Sequence, residues 1–216
     1  EVAEKVTAVV IGAADAAATA IAYGADDAIT VDAAEYNTEA YAAIVAELVK
    51  KYAPEMLFVG ATPNGKDLGA RVAAKLKAGC VTDVIGIKEA DGKIVLTAPL
   101  YGGTIYSDVT VEGTIVAIIR GGIFKKVDEP DTAKEGAITA ETVEIADLRA
   151  KIVNSVQEIS ESVNLEEAEV IVAGGRGVGS AENYELVKEL AKLLGGVVGA
   201  TRPVIEEGWV SRAHQV

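Results

Sequence analysis

Two short stretches hold the residues that could do chemistry. GGRGVGS, residues 174–180, sets one arginine among four glycines, and ATRPVIEEGW, residues 200–209, opens on a threonine and a second arginine. Glycines at 174, 175, 177 and 179 permit positive φ and let a ligand approach the backbone closely. Ser180 is placed to cap the helix that follows, and a helix N-terminus offers free N–H groups with about half a positive charge. Arg176 adds a fixed cation able to grip a phosphate bidentately, so the set suits a pyrophosphate. The G-x-G-x-x-G dinucleotide spacing is absent. A glycine-rich turn whose arginine pairs with a neighbouring carboxylate fits the spacing equally well in a chain with 33 acidic residues. Thr201 and Arg202 follow an apolar run, GGVVG. At the carboxyl end of a strand they face the same crevice as Arg176 if the two strands are neighbours, and two converging arginines call for an anionic partner. Trp209 reads as core or interface.

A third stretch, GATPNGKD at residues 60–67, matches the G-x-x-x-x-G-K phosphate loop up to its last position. There Asp67 replaces the magnesium-binding hydroxyl and would face the phosphates with a negative charge, while Pro63 removes one backbone donor from the cradle. The favoured reading is a strand-to-helix turn with Asn64 as N-cap, Asp67 completing a capping box, and Leu68, Val72 and Leu76 facing inward.

The elements that must position these residues alternate. VTAVVIG (6–12), AITVD (28–32) and MLFVG (56–60) read as strands buried on both faces. Between them, Ala13 to Tyr23 is an alanine-rich helix, and Thr38 to Tyr52 places Tyr41, Ile44, Val45, Leu48, Val49 and Tyr52 at helical spacing, with Thr38 as N-cap and Glu39 complementing the dipole. Such alternation implies right-handed βαβ units and a mainly parallel sheet, an α/β fold. After Gly79 the pattern changes. VIGIK (84–88) and KIVLTAP (93–99) form a hairpin turning at Asp91 and Gly92. TIVAIIRGG (114–122) is a buried strand, and 142–159 is extended. A boundary near Val163 divides an α/β domain, residues 1–162, from the start of a Rossmann-like domain, residues 163–216, whose helix rests on Tyr184, Val187, Leu190, Ala191 and Leu194. The absence of an initial methionine, and the small size of the second piece for an independent core, predict a natural chain that extends past both ends.

Composition narrows the function classes. A formal charge of -13 repels nucleic acid and anionic membrane surfaces. Cys80 cannot form an internal disulfide and reads as a buried, inert thiol in a reducing compartment. A single histidine, His214, cannot build a multi-histidine metal site, and no apolar run approaches the ~20 residues of a membrane span. No signal peptide is visible, so a cytoplasmic protein is expected.

GGRGVGS, GATRPVIEEGW and HQV, in that order and spacing, resemble the α subunit of electron-transfer flavoproteins. The resemblance extends upstream through GATPNGKDLGARVAAKL, YGGTI and IIRGGIF and covers most of the chain. It implies a heterodimer whose α subunit holds FAD in its second domain and whose β subunit binds AMP or, in the bifurcating branch, a second FAD. It implies that Arg176 lies on the FAD, that Thr201 stands where the family usually has serine, and that Arg202 lies against the isoalloxazine. Gln215 and Val216 open the family's Q-V-G-Q-T/S-G loop beside the flavin. The loop's remainder and the G-I-S-G-A segment are not in this sequence, nor are the family's first strand and helix, so the resemblance predicts an incomplete FAD site here. The implied activity is a redox relay without a side-chain catalyst, carrying electrons between a partner such as an acyl-CoA dehydrogenase or an NADH-linked flavoenzyme and an acceptor oxidoreductase. An adenine-nucleotide module using the Gly60–Asp67 loop is the alternative.

Overall fold

The computed structural model describes residues 2–33, 35–125, 127, 129–145, 148–150, 152–153, 165 and 168–216. Two compact units are present, Glu1–Val153 and Asn154–Val216. Val163 and half of the segment expected to be extended between 142 and 159 lie outside the described residues, and 142–145 are irregular rather than strand.

The first unit runs β1 (Thr7–Ile11), α1 (Ala16–Ala22), β2 (Asp27–Val31), α2 (Thr38–Tyr52), β3 (Met56–Gly60), α3 (Pro63–Leu76), β4 (Gly79–Val84), β5 (Gly86–Ala90), β6 (Lys93–Leu100), β7 (Ile105–Val109), β8 (Ile115–Ile119) and β9 (Ile138–Glu141). Two three-stranded parallel sheets, in the orders β1-β2-β9 and β3-β8-β4, accompany an antiparallel sheet in the order β5-β6-β7. This is the expected α/β architecture with an antiparallel hairpin region. The hairpin turns at Asp91 and Gly92, both at positive φ (53° and 71°), joining Ala90 and Lys93 as a two-residue loop.

Helices cover the parallel strands with small and branched side chains. Ala17 and Ile21 of α1 pack on Ala28, and the alanines allow the helix to lie close. Helix α2 presents Ile44 and Leu48 to Ile29 and Val31, and Val45 and Val49 to Val72 of α3, with Leu68 and Leu76 packed alongside. A fourth cluster joins β4, β6 and β8 through Val81, Val84, Leu96, Ile115 and Ala117.

Several expectations are corrected. Strands β1 and β3 end their sheets, so Val9 and Phe58 remain exposed, whereas β2 and β8, each between two neighbours, are buried along most of their length. Strands β4 and β9 escape the hydrophobic pattern because GCVTDV and ITAE are half polar. Asn37, not Thr38, caps α2, its side chain accepting from the N–H groups of Glu39 at 2.9 Å and Ala40 at 3.2 Å. Tyr52, expected to face inward, is exposed beside Glu141. Cys80 is exposed, although desolvation by its surroundings still raises its thiol pKa.

The second unit runs β10 (Ile171–Gly174), α4 (Glu185–Leu193), β11 (Val197–Ala200) and α5 (Arg202–Glu206). β10 and β11 form a parallel pair with Gly174 opposite Ala200. Its core is Tyr184, Ala200 and Val204, with Val187 and Trp209 packed against them. Leu190 and Leu194, expected inside, are exposed with Leu186 and Leu193. Among the described residues, no helix is long and apolar enough to cross a membrane.

Candidate functional site

The two arginine segments leave the same edge of the β10–β11 pair. Because the strands are parallel and Gly174 faces Ala200, both chains emerge at their carboxyl ends, where ligands sit in α/β sheets. Arg176 opens a 3-10 turn, Arg176–Val178, that closes at Gly179 with φ 90°. Of the four glycines this is the one at positive φ; at Gly177 the space around an added Cβ is open.

The Thr201 N–H donates to the Gly174 carbonyl at 3.1 Å, and its Oγ1 is the nearest atom, 3.5 Å, to a Cβ built on Gly175. Gln215 bridges Ala200 in the parallel sense, and the Val216 N–H donates to the Ala200 carbonyl at 3.0 Å. All five expected site residues, Arg176, Thr201, Arg202, Gln215 and Val216, therefore gather at one strand edge.

Both guanidiniums are exposed and lightly held. Arg176 Nε stands 3.4 Å from Glu207 Oε1, and Arg202 Nε donates to Glu206 Oε1 at 2.8 Å. With the arginine side chains 70% and 77% exposed, such contacts contribute about 0–1 kcal/mol each, little enough for an anionic ligand to displace them. The pyrophosphate reading and the carboxylate-paired reading of Arg176 are thus compatible in one molecule.

Ser180, expected as the N-cap of the following helix, does not cap it; Tyr184 stands at that position. Ser180 Oγ accepts from the Asn183 N–H at 3.2 Å, but this closes a turn, and α4 begins only at Glu185. Asn183 Nδ2 donates to the Val178 carbonyl at 3.0 Å and fixes that turn. The charge at this edge is therefore carried by the arginines.

Three features were missed in the sequence. Glu206, four residues after Arg202, had the usual i,i+4 signal. His214 Nδ1 lies 2.8 Å from the Val198 carbonyl and ties the 3-10 turn Arg212–His214 to β11. Tyr184, expected as one apolar helix position among five, also bonds both strands through its hydroxyl. Trp209 is half-buried and packs against that core, its ring inclined at 62° to Tyr184 with centroids 6.4 Å apart.

The Gly60–Asp67 loop is a strand-to-helix turn. Thr62, not Asn64, is the N-cap: Pro63 presets the first helical φ, and Thr62 Oγ1 accepts from the Gly65 N–H at 3.0 Å. Asp67 faces Arg71 at 3.7 Å instead of closing a capping box. A Cβ on Gly65 would stand 1.9 Å from the Gly60 carbonyl oxygen, so this glycine allows the helix start to fold back on its strand. Nearby, Arg149 donates to Glu39 at 2.9 Å.

Residues 1–148 match the family model for the Electron transfer flavoprotein domain, and residues 164–216 match the Electron transfer flavoprotein FAD-binding domain. The chain belongs to the electron transfer flavoprotein family. It is 37% identical over 204 residues to the electron transfer flavoprotein subunit alpha of Thermoanaerobacterium thermosaccharolyticum, covering 91% of this chain and 62% of that protein. It is 39% identical over 206 residues to the protein FixB of Clostridium saccharobutylicum, covering 90% and 60%. The electron transfer flavoprotein subunit alpha of Megasphaera elsdenii is 36% identical over 207 residues, covering 91% and 61%. The chain thus spans about three fifths of the length of these relatives. Membership in this family favours the flavoprotein reading over the adenine-nucleotide module, in line with the closed turn at Thr62–Gly65.

Proposed function

We propose that this chain belongs to the α subunit of an electron-transfer flavoprotein and uses the carboxyl edge of β10 and β11 to hold FAD. The observation that carries this is the convergence of two exposed arginines and a threonine on one strand edge, in the part of the chain that matches a FAD-binding domain. The donor set fits the group. Arg176, on a glycine loop with open space at Gly177, suits the pyrophosphate, and Arg202 with Thr201 suits the electron-rich edge of the isoalloxazine. Gln215 and Val216, beside Ala200, lead the chain along the same edge. Bound flavin supplies the electron chemistry, and the protein sets its position and electronics. Glu206 and Glu207 hold the arginines near the edge until the ligand takes their place.

In this reading residues 1–162 form a scaffold and subunit-interface domain, and residues 163–216 form the first part of the FAD domain. The partner is a β subunit carrying AMP or a second FAD. The complex passes electrons, in the cytoplasm, from a flavoenzyme such as an acyl-CoA dehydrogenase, or from an NADH-linked partner, to an acceptor oxidoreductase, with or without bifurcation. The test is a visible spectrum of the full-length protein co-expressed with its β subunit, before and after dithionite. A bleachable flavin band that is lost in Arg176→Ala is expected; a colourless complex that takes up no added FAD overturns the reading.

A further inference from the structure

Tyr184 stands out in the second unit as a fully buried phenol in an otherwise apolar cluster. A phenylalanine ring would fill the same space, and burying a hydroxyl is unfavourable unless its hydrogen bonds are made. Here they are made to the backbone of both strands. The hydroxyl accepts from the Gly174 N–H at 3.1 Å and donates to the Gly199 carbonyl at 2.6 Å, with the Gly174 carbonyl at 3.2 Å as a second acceptor for its one proton.

Those two glycines stand where the arginine segments begin. Gly174 is the last residue of β10 and precedes Gly175 and Arg176, while Gly199 is followed by Ala200, Thr201 and Arg202. The fit is close: a Cβ on Gly174 would lie 2.7 Å from Tyr184 Cε2 and 2.9 Å from its hydroxyl oxygen. The ring is in turn braced by Trp209, inclined at 62° to it.

We propose that Tyr184 is a positioning residue: its hydroxyl pins the Gly174–Arg176 loop to the Gly199–Arg202 segment and so sets the relative placement of the two arginines. Its relevance to a ligand rests on the flavin reading above, but the pinning itself does not depend on it.

The experiment compares wild type and Tyr184→Phe as full-length protein in complex with the β subunit. Backbone hydrogen exchange is measured on the flavin-free complex, and FAD affinity is measured in both, with and without Arg176→Ala. In wild type, the Gly174 amide should rank among the slowest of residues 168–216. In Tyr184→Phe, exchange at Gly174 and in the segments 175–179 and 199–202 should rise about tenfold, with α2 amides unchanged. FAD affinity should fall three- to tenfold, and Arg176→Ala should then cost less than in wild type, because a loosened loop no longer places the arginine.

A fast Gly174 amide in wild type overturns the proposal whether or not the variant folds. So does a variant with lower melting temperature but unchanged loop exchange and an unchanged Arg176→Ala penalty, which would make the hydroxyl merely structural. If wild type takes up no FAD, the flavin reading fails, and the exchange data alone decide the pinning.

Discussion

Arg202 combines a fixed charge with weak restraint: its guanidinium is exposed and its carboxylate partner, Glu206, is itself more than half exposed. A permanent cation close to the electron-rich edge of a flavin favours the form that has gained negative charge, and about 1.4 kcal/mol of such preference corresponds to roughly 59 mV in a one-electron couple. Arg202→Ala is therefore expected to lower the flavin midpoint potential by some tens of millivolts, read by redox titration of the purified complex. An unchanged potential would show that Arg202 does not stand against the flavin. Lysine at the same position should restore only part of the shift, because its ammonium lacks the planar fork and is more strongly hydrated.

The elements of the first unit are tied by exposed ion pairs whose titration can be followed. The Arg120 guanidinium, bonded to Asp83 through Nε at 2.7 Å, lowers that carboxyl pKa and joins the end of β8 to β4. Lys51, at 2.6 Å, and then Tyr52 lower that of Glu141 and join α2 to β9. Arg149 lowers Glu39, and the Val6 backbone N–H followed by Lys134 lowers Asp26. A carboxylate whose folded pKa lies below its unfolded value stabilises the fold at pH values above the unfolded one, about 3.9–4.3, and loses that contribution as pH falls through the folded value. The melting temperature should thus be flat above about pH 5 and fall progressively below about pH 4. Glu141→Gln should make that fall shallower, and a melting temperature independent of pH down to 3 would remove these pairs from any account of stability.

What was legible in the sequence follows the same element logic. The hairpin at Asp91–Gly92 could be read because Asp-Gly suits a two-residue turn with positive φ at both positions, and α2 because Ile44, Val45, Leu48 and Val49 recur at helical spacing. The strand ends carrying Arg176 and Arg202 could be read because apolar runs break into glycine or threonine there. Caps shifted because Pro63 and the extended backbone at Asn37 and Thr62 start their helices earlier than the polar pattern suggests. Edge exposure of Val9 and Phe58, like the exposure of Cys80, depends on neighbours remote in the chain, which one sequence does not show.

At the scale of the whole molecule the two units differ in what holds them. Among the described residues, four clusters of buried side chains stabilise the first, whereas the second has one, centred on Tyr184, Ala200 and Val204 beneath a helix whose Leu186, Leu190 and Leu193, with Leu194 just after it, stay exposed. Stability scales with the apolar area removed from water, so the second unit should open first. The composition supplies a selective probe, because the chain's single tryptophan, Trp209, packs against that smaller core. Far-UV circular dichroism instead follows mainly α2 and α3 of the first unit. In guanidinium chloride the fluorescence transition of these 216 residues without flavin is expected to precede the dichroism transition, by on the order of 1 M. Coincident midpoints would mean that the units unfold as one cooperative body, and the small core would then owe its stability to the rest of the chain rather than to Tyr184 and its neighbours.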